Sequence, residues 1–222
     1  MLVQIYEVQR PEEAAALARL GVDHIGVLVG EGAFPRELSA AHARAVFAAV
    51  PARARRVALT LSAELEEVAR IVAETWPDII HIGAAAERFS AARLRVLKQR
   101  FPQILTMRSI PVVDAGSLVI AEAYREVADF LLLDSHDSGD AQIGALGRTH
   151  DWRLSRAIVE RVPMPVILAG GLGPDNVAAA IGAVGPAGVD SKTRTDRADG
   201  RGKDLDAVGR FVAAAKAARL TS

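Results

Sequence analysis

The feature that most constrains this chain is an alternation of short apolar runs with Ala-rich amphipathic stretches, kept up over its length. The runs are Val3–Tyr6, His24–Val29, Arg56–Leu61, Ile79–Ile82, Ile104–Ser109, Phe130–Asp134, Pro165–Ala169 and Gly188–Asp190. Most are continuously apolar, the pattern of parallel strands buried on both faces. Among the intervening helices, Pro11–Leu20 opens on proline and two glutamates, which suits a helix N-terminus. Ser39–Ala49 and Ser62–Glu74 each open on a serine able to cap free amides. Pro174–Val184 has proline in its first turn, and Asp204–Ala218 closes the chain. Eight strands and about eight helices in 222 residues allot roughly 28 residues to each unit, the size of one β–α repeat. The expected fold is therefore α/β, a single (β/α)8 TIM barrel with a parallel eight-stranded sheet, and residues 1–222 form one domain. An open doubly wound sheet is the alternative, since periodicity does not show closure.

Composition narrows the function. The 27 basic and 27 acidic residues cancel, so no basic stripe marks a nucleic-acid binder. No apolar run approaches a membrane span, and the N-terminal MLVQIYEVQRPEE lacks the basic start and apolar core of a signal peptide. With no cysteine, disulfides, thiolate nucleophiles and thiolate-bound metals are excluded. A cytoplasmic protein, monomer or homodimer, acting on something small is the expectation, with no cofactor or metal demanded.

In such barrels the reacting groups sit at the C-terminal ends of the strands. Those ends are Tyr6 and Glu7, the segment Glu31–Arg36, His81, Arg108, Asp134, Gly170–Gly171 and Asp190. In Leu168-Ala-Gly-Gly-Leu-Gly-Pro-Asp-Asn-Val177 an apolar strand runs into two glycines and then a helix. Glycines let the backbone approach an anion, and helix-start amides favour phosphate, while a bare left-handed turn is the structural alternative. Asp134 ends a run of leucines, where a carboxylate is costly unless solvated, paired or used. It reads as catalytic, or else as a cap anchoring the polar loop 135–150, itself expected to be a lid. Arg36 can clamp an anionic group or be a solvated arginine. His81 and, in the loop, His136 are positioned to reach the pocket. Of the four lysines, Lys192 just past the last strand is the one expected at the mouth.

With those residues in view, the chain resembles the phosphoribosylanthranilate isomerases, the barrel family of tryptophan biosynthesis. The resemblance spans nearly the whole length. It is carried by Leu131–Asp134, Gly147-Arg-Thr-His-Asp-Trp152 and Ala169-Gly-Gly-Leu-Gly-Pro-Asp-Asn-Val177, with weaker support from Gly188-Val-Asp190 and Gly202-Lys-Asp204. It implies ring opening of a phosphorylated aminoaldose and conversion to the aminoketose, with Asp134 as general acid. In the family a cysteine in Lys-Ile-Cys-Gly, at the end of the first strand, removes the C2 proton. Here the run is Gln4-Ile5-Tyr6-Glu7, with tyrosine in the cysteine position. A tyrosine has an ordinary pKa near 10 and is a poor base at neutral pH. Glu7 is a substitute base if the strand has ended before it, and His81, matching a family glutamine, is a third candidate. Arg108 stands where the family has lysine, as a substrate-binding candidate with Arg36 and His136. Gly170, Gly171, Asp190, Ser191, Lys192 and Thr193 are the phosphate-binding candidates. The charged run Lys192–Lys203 replaces small residues of the family. The expectation is Amadori-type isomerisation of a small phosphorylated sugar derivative. The alternatives are another phosphate-ligand barrel enzyme (epimerase, lyase or aldolase) and a non-catalytic phosphate-binding protein.

Overall fold

The computed structural model describes residues 1–135 and 150–218. Its strands are β1 Leu2–Ile5, β2 His24–Leu28, β3 Arg55–Thr60, β4 Ile79–Ile82, β5 Leu105–Pro111, β6 Phe130–Asp134, β7 Val166–Leu168 and β8 Gly188–Ser191. They pair in sequence order, all parallel, and β8 returns to β1, so the sheet closes. That closure removes the open doubly wound alternative. The helices are α1 Pro11–Arg19, α2 Ala40–Ala48, α3 Leu65–Thr75, α4 Ala91–Arg100, α5 Gly116–Ala123, α6 Trp152–Arg161, α7 Val177–Val184 and α8 Leu205–Ala218. Among the described residues no helix is long and apolar enough to cross a membrane.

Two cores result from the two faces of the strands. The larger, between sheet and helices, holds Val3, Ile5, Ile25, Val27, Leu131 and Leu133 with apolar residues of the helices. The smaller fills the barrel with Tyr6, Val57, Ile79, Met107, Leu132 and Ile167. Alternation along each strand fixes which side chains reach the interior. Gln4 and Tyr6 point inward from β1, as do Met107 and Ser109 from β5 and Leu132 and Asp134 from β6.

Two helix starts differ from expectation. The third helix begins at Leu65, and Ser62 instead accepts the amide of Glu64, within the preceding turn. The seventh begins at Val177, so Pro174 lies in a turn before it, closed by the Gly173 amide on Asn176 Oδ1 at 2.8 Å. The N-terminal face carries a repeat that the sequence rhythm alone concealed. Asp23, Asp78 and Asp129 each precede an even-numbered strand, and their carboxylates accept the amide of the second residue of its odd-numbered neighbour: Val3 at 2.9 Å, Arg56 at 2.7 Å and Thr106 at 2.8 Å. Such bonds tie strand starts at the face that holds the barrel together.

Candidate active site

At the opposite, C-terminal face, the floor of the mouth is made by Tyr6, His81 and Ser109. The Tyr6 side chain lies in the barrel and is 5% exposed. Its ring occupies a notch left by Gly26, where an added Cβ would lie 2.2 Å from Tyr6 Cδ1. The Tyr6 hydroxyl is 2.5 Å from His81 Nδ1, and His81 Nε2 is 2.7 Å from Ser109 Oγ. Burial, with the Arg108 charge adding to it, pushes the His81 imidazole down to about 3. Burial, and then the charge of Asp190, raises the Tyr6 phenol well above its usual range. At neutral pH the floor is therefore a chain of uncharged, mutually bonded groups.

Above it lies a rim of charge. β1 ends at Ile5, and Glu7 takes a left-handed backbone with φ 59°, which turns its side chain toward the mouth. That conformation suits the glycine expected here from the family pattern and costs a glutamate of order 1 kcal/mol or more. Glu7 Oε1 is 2.9 Å from Lys192 Nζ, and Oε2 is 3.4 Å from Arg36 Nη1. Arg36, itself at φ 64°, also donates to Asp196 Oδ2 at 2.9 Å and to the Gly200 carbonyl at 2.5 Å. Its guanidinium thus ties the loop after β2 to the loop after β8, in place of standing open to a ligand. Lys203, at the end of the charged run, does not reach solvent. Its side chain is fully buried beneath the rim, 2.6 Å from Asp196 Oδ1 and 3.2 Å from the Lys192 carbonyl. Asp196 does not stand out in the sequence, and Lys203 does so only within Gly202-Lys-Asp204, because both lie in a charged stretch that reads as solvated.

Two carboxyl groups face each other from β6 and β8. Asp134 Oδ1 accepts the Ser135 amide at 2.7 Å. Asp190 is buried and receives Gln4 Nε2 at 3.3 Å. Burial first, then the Asp134 charge, pushes the Asp190 carboxyl up to about 8, against the pull of Gln4 and Lys203. At neutral pH the pair accordingly holds a proton. Both line a small cavity of about 50 Å³ over the floor, with Tyr6, Glu7, His81 and Lys192.

Beside it, Gly170 (φ 83°) and Gly171 (φ 62°) adopt a left-handed turn that a side chain would strain. They border a second cavity, of about 30 Å³, with Asp134, Ser191, Lys192 and Thr193. Arg194, not singled out in the sequence, closes this cavity. Its Cδ would lie 2.8 Å from a Cβ at Gly173, which is why only glycine fits there.

Arg108 lies elsewhere. β5 runs on to Pro111, so Arg108 is a mid-strand residue facing the helices. It is fully buried, donates to the Ile82 and Ala84 carbonyls at 2.6 and 2.5 Å, and stacks on Tyr124 at 5.1 Å. The substrate-binding expectation for Arg108 is corrected to a structural one. His136 and nearly all of the expected lid lie outside the described residues. Among the described residues no cluster of His, Cys, Asp and Glu could hold a metal.

The mouth thus sets a left-handed glycine turn beside a carboxyl pair. A family model described as N-(5'-phosphoribosyl)anthranilate isomerase matches residues 3–214. The chain belongs to the phosphoribosylanthranilate isomerase family. The isomerase of Haloferax volcanii is 36% identical over 218 residues, covering 98% of this chain and 94% of that one. The solved phosphoribosylanthranilate isomerase of Thermotoga maritima superposes with a TM-score of 0.83 at 25% identity, over 98% of this chain and 99% of that one. A further solved isomerase, in complex with reduced 1-(o-carboxyphenylamino)-1-deoxyribulose 5-phosphate, has the same fold, with TM-score 0.81 at 24% identity over 98% of this chain and 100% of that one. Of the positions where the sequence differs from the pattern expected by resemblance, Tyr6 and His81 meet in the neutral floor, and Glu7 and Lys192 meet as an ion pair.

Proposed function

We propose that this chain isomerises a phosphorylated aminoaldose to the aminoketose, with Asp134 as general acid and Glu7 as general base. N-(5'-phosphoribosyl)anthranilate is the first substrate to test. In the reading, Asp134 passes a proton to the ring oxygen as the C1–O bond breaks, and the nitrogen lone pair forms the iminium. Glu7 then takes the C2 proton; the C–H electrons form the C1=C2 bond and the C=N pair returns to nitrogen. Loss of the C2 hydroxyl proton and protonation at C1 give the ketone. The phosphate rests on the Gly170–Gly171 turn with Ser191, Lys192 and Thr193 around it. Acid and base are both side chains, so no metal or cofactor enters, and the enzyme is read as cytoplasmic, monomer or homodimer.

The observation that carries this reading is the Glu7 carboxylate turned into the mouth one residue past the neutral Tyr6. The test is the fluorescence decay of phosphoribosylanthranilate generated in situ with the purified chain. Turnover is expected, and Asp134→Asn lowers it by about 10²–10⁴-fold, the usual worth of acid–base catalysis. A folded chain that turns nothing over overturns the reading. In that event the small floor cavity, narrowed by the Tyr6 ring, favours a second reading: the same rearrangement on a phosphorylated sugar with a smaller amine substituent.

A further inference from the structure

Two departures from the family pattern that are 185 positions apart in sequence, Glu7 and Lys192, meet as one ion pair of 2.9 Å. Lys192 borders both cavities of the mouth, the one over the floor and the one beside the glycine turn. Its backbone is held: its carbonyl accepts the Thr195 hydroxyl at 3.0 Å, the Thr195 amide at 3.2 Å and Lys203 Nζ at 3.2 Å. The side chain, in contrast, is 27% exposed and forms an ion pair with Glu7. A lysine ammonium is a compact charge on a flexible stem, free to move between acceptors within its reach.

We propose that Lys192 is a shared cation: a phosphate group bound at the Gly170–Gly171 turn draws it from Glu7 and so unmasks the Glu7 carboxylate. The inference rests on the isomerase reading for the role of Glu7, but the sharing itself is a statement about binding. A phosphate carries about −1.5 to −2 charge and out-competes a single carboxylate for one ammonium. Glu7 then keeps Arg36, whose guanidinium is already engaged by Asp196 and Gly200. Its Oε1 is left open to accept a proton once a phosphorylated molecule is in place. The empty site holds its base neutralised; the filled one presents it.

The test is a double-mutant cycle on affinity for inorganic phosphate, followed by calorimetry with the full chain. Glu7→Gln is expected to tighten phosphate binding roughly fivefold, because Lys192 loses its competing partner. Lys192→Met is expected to weaken binding roughly tenfold, the scale of one charge-assisted hydrogen bond. In the Lys192→Met background, Glu7→Gln is expected to change affinity by less than twofold. If Glu7→Gln tightens binding equally with and without Lys192, the carboxylate merely repels phosphate and the sharing is wrong. An unchanged affinity in Glu7→Gln alone, or no phosphate binding by the wild type, overturns it too. Should Glu7→Gln fail to fold by circular dichroism, Glu7→Gly replaces it, since glycine suits φ 59°. The isomerase reading fails separately, by absence of turnover in a chain whose phosphate cycle behaves as expected.

Discussion

The floor and the rim of the mouth are both built from polar side chains and use them in opposite ways. On the floor, Tyr6, His81 and Ser109 satisfy one another within the barrel, and burial keeps them uncharged. On the rim, Glu7, Arg36, Lys192 and Asp196 are ionic; the Glu7 carboxylate is buried, its cations Arg36 and Lys192 are partly exposed, and the pairing is through side chains that a ligand can replace. A buried polar chain whose members are all partnered is effectively core, because opening any one bond leaves a desolvated group behind. An ion pair whose cation is partly exposed is exchangeable. Chemistry is therefore sought at the rim, though a tyrosine and a histidine near strand ends are the more conspicuous residues in sequence.

The sharpest way to break this contrast is to remove the rim carboxylate. Glu7→Gln should lower kcat by about 10²-fold or more with phosphoribosylanthranilate in stopped-flow fluorescence, if Glu7 is the base. Unchanged kcat with the floor intact would return the base to Tyr6 or His81. The next largest effect concerns the floor as packed core. Gly26→Ala places a Cβ against the Tyr6 ring and should cost about 1–3 kcal/mol in urea denaturation. The loss should shrink in a Gly26→Ala, Tyr6→Cys double variant. If the single variant is neutral, the floor is looser than described.

Asp190 tests the boundary between the two regions. Its carboxyl ionises near 3.8 in the unfolded chain and at about 8 in the fold. Between those values unfolding releases a proton, so this group's contribution to stability is full at low pH and declines as pH rises to about 8. Asp190→Asn should make the thermal midpoint flatter from pH 5 to 8 than in the wild type; equal slopes would mean that Asp190 is ionised. Smallest is Tyr6→Phe, which leaves His81 Nδ1 without its partner. It should destabilise by about 1 kcal/mol yet keep turnover within threefold. A large loss of turnover would make the phenol part of the chemistry.

The barrel was legible because strands buried on both faces leave continuous apolar runs, and all eight emerged within one or two residues of their observed ends, β1 and β5 included. Asp134 was legible for the inverse reason, a charge closing a run of leucines. Arg108 misled because two more residues of β5 change a strand end into a strand middle, and alternation then turns the side chain outward. Lys203 was hidden because its partner, Asp196, is brought to it by the chain reversal that pairs Asp196 with Lys203 across the loop after β8. Local spacing carries no trace of such a tertiary pairing. The Glu7–Lys192 meeting is of the same kind: each departure was visible, their contact was not.

The notch at Gly26 also links two positions that are distant in sequence. Any residue with a Cβ at that position would collide with the ring that now fills it, so a tyrosine at position 6 is acceptable only to a barrel already bare at position 26. The two positions are therefore coupled: a side chain at one is accommodated only by displacing the side chain at the other. A smaller residue at position 6 leaves room for a Cβ at position 26, whereas a Cβ at position 26 with the tyrosine in place costs packing.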